Sequence, residues 1–141
     1  MTTPLTSAFE AERDALLAVA TSARAQVDAL AEGPDAFEAA VSATLDAVSD
    51  LDACQRRRQR HAADPTSGAV DPAAREALES AAADAQHACD VLAFALQHAA
   101  ALGRDLLRVG HESEPLGQVY TARGAVAATG RAVRPLGTRL P

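Results

Sequence analysis

Lysine, isoleucine, asparagine and tryptophan are missing from this chain, and its 141 residues include only one tyrosine, three phenylalanines and two cysteines. Strands draw on β-branched and aromatic side chains, so this shortage excludes an aromatic-rich β-sandwich. Two thiols make no disulfide framework. Cys54 and Cys89 both fall mid-helix by the periodicity below, where they read as small buried hydrophobes. No apolar run approaches the roughly 20 residues of a membrane span. The first ten residues lack the basic and apolar regions of a secretory signal, so a cytoplasmic protein is expected. A GC-rich coding bias accounts for the lack of Lys, Ile and Asn and carries no functional information.

Alanine is what the chain has in excess, 36 residues against 15 leucines and 10 valines. The 48% hydrophobic fraction is therefore half alanine, which buries little area. Leu, Val and Phe together make only 28 residues, a thin supply for a core. Alanine is also the best helix former, so the composition points to long helices and an all-α fold. The length suits one domain. The net charge is −6 and unevenly spread. Residues 1–114 carry nine arginines and all 19 acids, whereas residues 115–141 carry Arg123, Arg131, Arg134 and Arg139 and no acid. An acidic body with a basic tail does not have nucleic acid as its expected partner.

Three helices follow from the pattern. The first is expected over about 7–32, opened by a capping box at Ser7-Ala-Phe-Glu10 and closed by Gly33-Pro34. Its apolar stripe is Phe9, Leu16, Ala20, Ala23, Val27 and Leu30, interrupted by Arg13. The second spans about 35–62 from Asp35-Ala-Phe-Glu38. Its stripe is Phe37, Val41, Thr44 or Leu45, Val48 and Leu51, turning polar at Gln55 and Arg58. The third spans about 72–109 from Asp71-Pro72, an N-cap with proline in the first turn. Its seam is heptad-like throughout: Ala74, Leu78, Ala81, Ala85, Ala88, Leu92, Ala95, Ala99, Leu102, Leu106, Val109. The expected architecture is an elongated antiparallel bundle of three long helices over residues 1–110. A mobile basic tail follows over 111–141, with a short helix over 125–133 forming on contact. Helix three is longer than its partners, so its far end needs another partner or a bend near Gly103.

Catalytic and metal chemistry find little support. A di-iron bundle needs two Glu-x-x-His motifs, and the chain has one distant cousin, Asp84-Ala-Gln-His87. His87 and His98 share a face but lie about 16 Å apart along the axis, too far to hold one ion. His61 and His111 stand at helix ends. There is no phosphate-binding loop, nucleophile elbow or Cys-x-x-Cys. The carboxylates Glu76 and Glu79 fall on a polar face. No enzyme, metal or cofactor is expected. The arginine cluster at 56–60 reads either as a grip for an acidic partner or as a solvated helix end balanced by Asp50 and Asp52. Tyr120 stands outside the helical seams and suits an interface anchor or plain packing on the bundle.

The layout resembles that of FlgN-type flagellar export chaperones. The residues that carry the likeness are Glu12-Arg13-Asp-Ala-Leu-Leu17 in the first helix, the Ala31-Glu-Gly-Pro-Asp35 break and arginine in the closing turns of the second helix, as at Arg56. A long later helix then precedes Tyr120-Thr-Ala-Arg-Gly124. The alanine excess, the loop at 64–71 and the arginine-rich end depart from that pattern. The resemblance implies a non-enzymatic cytoplasmic chaperone that binds the terminal amphipathic helices of hook–filament junction proteins and delivers them to the export gate. It implies that Tyr120 contacts the export-gate protein FlhA. The surface expected to take the client is Leu92, Leu96, Leu102, Leu106 and Val109, in a helix-in-groove mode. Two rivals stand beside this reading. One is a structural subunit of a phage or secretion apparatus whose tail docks on a neighbour. The other is a secreted helical hairpin of type VII systems, which the missing tryptophan disfavours.

Overall fold

The structure, a computed structural model, describes residues 1–113 together with the short stretches 118–120 and 126–128. It is an all-α bundle of three helices, α1 (Pro4–Ala29), α2 (Pro34–Ala63) and α3 (Pro72–Ser113). A single 3₁₀ turn, Pro65–Ser67, lies in the connection between α2 and α3. By contacts the chain divides into two units, Met1–Ala99 and Ala100–Pro141.

Within the first unit the register of each pair is clear. Glu12 meets Arg58 and Gln26 meets Thr44, so α1 and α2 run antiparallel. Asp71 N–H donates to Thr6 Oγ1 and Arg24 pairs with Asp84, contacts separated by 65 and 60 residues, so α1 and α3 run parallel. The order is up, down, up. Helix α1 carries nine buried residues, whereas Ala47 is the one buried residue of α2. On α3 the buried positions of the first unit are Ala74, Leu78, Ala81, Ala85 and Ala88.

The centre of the packing is alanine. Ala20 and Ala23 of α1 meet Ala85 and Ala88 of α3, with Leu16 and Leu92 partly buried beside them. Methyl-sized side chains let two helices approach to the short end of the usual interaxial range, about 8 Å. Ala20 and Ala23 are fully buried, and among the described residues no larger side chain is buried as completely. The seam of α3 appears where the heptads place it, from Ala74 through Ala88, with Leu92 and Ala95 half-buried. Beyond that point the expected continuation departs, since Ala99, Leu102, Leu106 and Val109 are exposed. The helix runs on without interruption through Gly103 and Gly110 to Ser113.

Three expectations are corrected. Helix α1 begins at Pro4 and is capped by Thr3, whose hydroxyl accepts from Thr6 N–H at 3.2 Å. Thr3-Pro4 overrides the capping box at Ser7 because proline needs no partner in the first turn and the threonine has a second task. The Thr3 hydroxyl donates to the Ala69 carbonyl at 3.0 Å, tying the start of α1 to the α2–α3 connection. Helix α2 likewise begins one residue earlier than Asp35, at Pro34 behind Gly33, whose φ of +119° suits glycine. The cysteines are the third. Cys89 is exposed and Cys54 half-buried, because Cys89 sits one residue, hence about 100° of rotation, past the Ala88 seam position.

The Thr3 latch is tightly built. Gly68 has a φ of +78°, and a Cβ there would stand 3.0 Å from Thr3 Cγ2. Thr3→Ala is expected to lose about 1 kcal/mol through the cap alone. Loss of the Ala69 contact adds to this. Urea unfolding with an unchanged slope is the measurement, and a midpoint equal to the parent's would refute the assignment.

In the second unit, Gln118–Tyr120 and Val126–Ala128 form an antiparallel pair of three-residue strands. Their register is Gln118 with Ala128, Val119 with Ala127 and Tyr120 with Val126. Residues 126–128 are thus extended within the segment where a contact-induced helix was expected. The mobile character expected of the rest of the tail concerns residues outside those described.

Candidate interaction surface

Helix α3 positions most of the exposed apolar surface. Of the five client-site residues expected from the sequence, Leu92 is half-buried against the alanine cluster. The other four are open to solvent, with Leu102 and Leu106 at 61% and 62% exposure. The five do not form one face. At 100° per residue, Leu102, Leu106 and Val109 fall within an arc of roughly 60°, while Leu96 lies roughly 80° further round. Val91 and Phe94, which the heptad reading passed over, are also exposed, on the part of α3 that belongs to the first unit. Phe94 also stacks edge-on against His98, ring centroids 4.3 Å apart. Within the second unit the stripe reads Leu102, Leu106, Val109, about 10 Å long at 1.5 Å per residue. Sequence could have found Val91 and Phe94, since apolar residues in α3 fill positions beside the heptad seam as well as on it.

Tyr120 lies in the first strand, its backbone paired with Val126. Its side chain is outside the described residues.

The arginine cluster divides. Arg58 turns inward and pairs with Glu12, whose side chain is 5% exposed, while its guanidinium sits 5.3 Å from the Phe9 ring centroid. Arg56 turns outward and pairs with Asp52 at 2.8 Å, the balance expected from that acid. Arg57 and Arg60 are exposed. Beyond them, the Asp64 carboxylate accepts from the Thr66 hydroxyl at 2.7 Å and the Thr66 N–H at 2.9 Å. The hydroxyl and then the amide hold its carboxyl below the usual carboxylate range. This is a turn motif built from local donors.

His61 Nδ1 lies 3.1 Å from Ser67 Oγ, a contact that fastens α2 to the following turn. Glu76 and Glu79 are exposed, as a polar face requires. Among the described residues no three His, Cys, Asp or Glu side chains gather as a metal site, and no buried side-chain polar atom lacks a partner. No helix among them is long and apolar enough to cross a membrane. The arrangement offers surfaces for binding: an apolar stripe on α3 and a mixed apolar and basic face on α2. No protein-family model matches the chain, nor does any curated protein or solved structure.

Proposed function

We propose that this protein is a cytoplasmic, non-enzymatic export chaperone of the FlgN type, which covers amphipathic terminal helices of hook–filament junction proteins and passes them to the export gate. The observation that carries the reading is the exposed stripe of α3. Burying a leucine side chain is worth about 1.5–3 kcal/mol, so Leu102 and Leu106 left in water are unspent binding energy for an incoming helix. An exposed apolar stripe suits helix-in-groove recognition. The thin alanine core supports the same reading, because a described core in which Leu78 is the one buried leucine leaves the others for a partner. Tyr120 and the strand that bears it are the proposed contact to FlhA, at the position the resemblance implies.

Co-expression with hook–filament junction proteins followed by pull-down tests the proposal. A complex is expected. Leu102→Asp with Leu106→Asp is expected to weaken it at least about thirtyfold, the effect of losing about 2 kcal/mol at a hot spot. Both positions are exposed, so the thermal melt of the free double variant should match that of the parent. Binding that ignores the double substitution, or a defined ring-sized oligomer formed without any client, overturns the proposal in favour of a structural subunit.

A further inference from the structure

The outer face of α2 changes character along its length. Val41, Leu45 and Val48, then Asp52, Arg56 and Gln59, recur at intervals of three or four residues, which places them on one side of the helix. Leu45 is 66% and Val48 46% exposed, an apolar patch that neither α1 nor α3 covers. Further along, Arg56, Gln59, Arg60 and Ala63 line an open groove. Residues 55–61 hold four arginines and a histidine with no acid, in a chain whose net charge is −6.

Attraction of cations to the helix C-terminus accounts for part of this, but only in the last turn. It explains Arg60 and His61. It does not explain Arg56 and Arg57, which lie further back, nor an exposed leucine and valine two to four turns before them. Arg58 is already committed to Glu12. Among the described residues, Arg57 and Arg60 take part in no ion pair, and Arg56 has one carboxylate for a guanidinium able to serve two.

We infer that this face of α2 seats an acidic amphipathic helix of a partner protein, whose aliphatic side chains cover Leu45 and Val48 and whose carboxylates meet Arg56 and Arg60. The commitment to an acidic partner rests on charge complementarity: planar guanidinium groups pair with carboxylates through two parallel hydrogen bonds. The spacing narrows the partner further. Val48 and Arg56 lie about 12 Å apart along the helix and Leu45 and Arg60 about 22 Å. The partner's acidic residues are therefore two to four helical turns from its aliphatic ones. The face belongs to α2 and does not depend on the α3 stripe, so its failure and that of the proposed client site can be told apart.

Two fluorescein-labelled synthetic helices test the inference by anisotropy with the full chain. Each is about six turns long, with leucines on one face of its first half. One carries glutamates in its second half and the other glutamines at the same places. At low salt the glutamate peptide is expected to bind about tenfold more tightly, the combined effect of two exposed charge pairs, and the advantage should vanish at high salt. Arg56→Gln with Arg60→Gln should abolish that advantage while leaving the glutamine peptide's affinity unchanged. Leu45→Ser should weaken both peptides alike. All three positions are exposed, and an unaltered circular-dichroism melt verifies that the variants fold. Equal binding of the two peptides overturns the inference, as does an advantage that survives the double substitution. So does an arginine-dependent affinity for duplex oligonucleotide in place of the glutamate peptide.

Discussion

Replacing Arg58 by alanine is expected to cost about 3 kcal/mol of stability, near the low end of what stranding a buried charge costs. The side chain of Glu12 is 5% exposed, and Arg58 is the cation that faces it across the α1–α2 interface. Removing the guanidinium leaves a carboxylate that has given up its water without a counter-charge. It also uncovers the Phe9 ring beneath it. Arg58 itself is 30% exposed, which is why the low end of the range applies. Two outcomes separate this account from simple loss of packing. Glu12→Leu combined with Arg58→Met should recover stability to within about 1 kcal/mol of the parent, because an apolar pair of similar volume needs no desolvation. Neither single substitution should do so. A urea midpoint for Arg58→Ala that falls by less than about 1 kcal/mol would show that the pair contributes little.

The second large effect has the opposite sign from what hydrophobicity alone suggests. Ala23→Leu adds apolar surface and keeps a strong helix former, so burial arithmetic would call it stabilising. It should instead cost about 3 kcal/mol, and Ala20→Leu about the same. Both positions are fully buried against Ala85 and Ala88, and three extra carbons fit only if α1 and α3 move apart. Ala18→Leu and Ala25→Leu, on exposed positions of the same helix, should change stability by no more than about 0.5 kcal/mol. Thermal unfolding of the four variants side by side makes the comparison. A neutral Ala23→Leu would mean that the seam is loose enough to accept larger residues.

These expectations locate what could and could not be read from the chain. The seam of α3 was legible because one face of a helix meets one neighbour, and heptads report that directly. Ala74, Leu78, Ala81, Ala85 and Ala88 are buried where periodicity puts them. On α2 the choice between Thr44 and Leu45 resolves to Thr44, which hydrogen-bonds Gln26, and the next seam position moves from Val48 to Ala47. Helix α1 was read only in part, because it faces two neighbours at once. Its stripe of Leu16, Ala20 and Ala23 faces α3. The buried positions Thr6, Glu12 and Gln26 are polar, and a single-stripe pattern discards polar residues. Their burial depends on Asp71, Arg58 and Thr44, partners that lie 65, 46 and 18 residues away. No local pattern contains that information. The candidate surface followed the same division. Exposed leucines at the end of α3 were foreseeable from the heptads, whereas the separation of Leu96 from Leu102 needed the helical angle.

The register of α1 also sets an order of assembly. Its contacts with α2 begin across the short turn at 30–33, so that hairpin can close by lengthening from one end. The contacts that set its register on α3 span 60 and 65 residues, Arg24 with Asp84 and Thr6 with Asp71. Closing a long loop in one step carries a larger entropic penalty than extending a hairpin. During synthesis on the ribosome, α1 and α2 are complete before Ala85 and Ala88 have been made. For that interval the alanine face of α1 stands bare, and it is the least adhesive apolar surface a helix can show. A leucine-lined face would hold a newly made chain to its neighbours, whereas a row of methyl groups lets it wait for its own third helix.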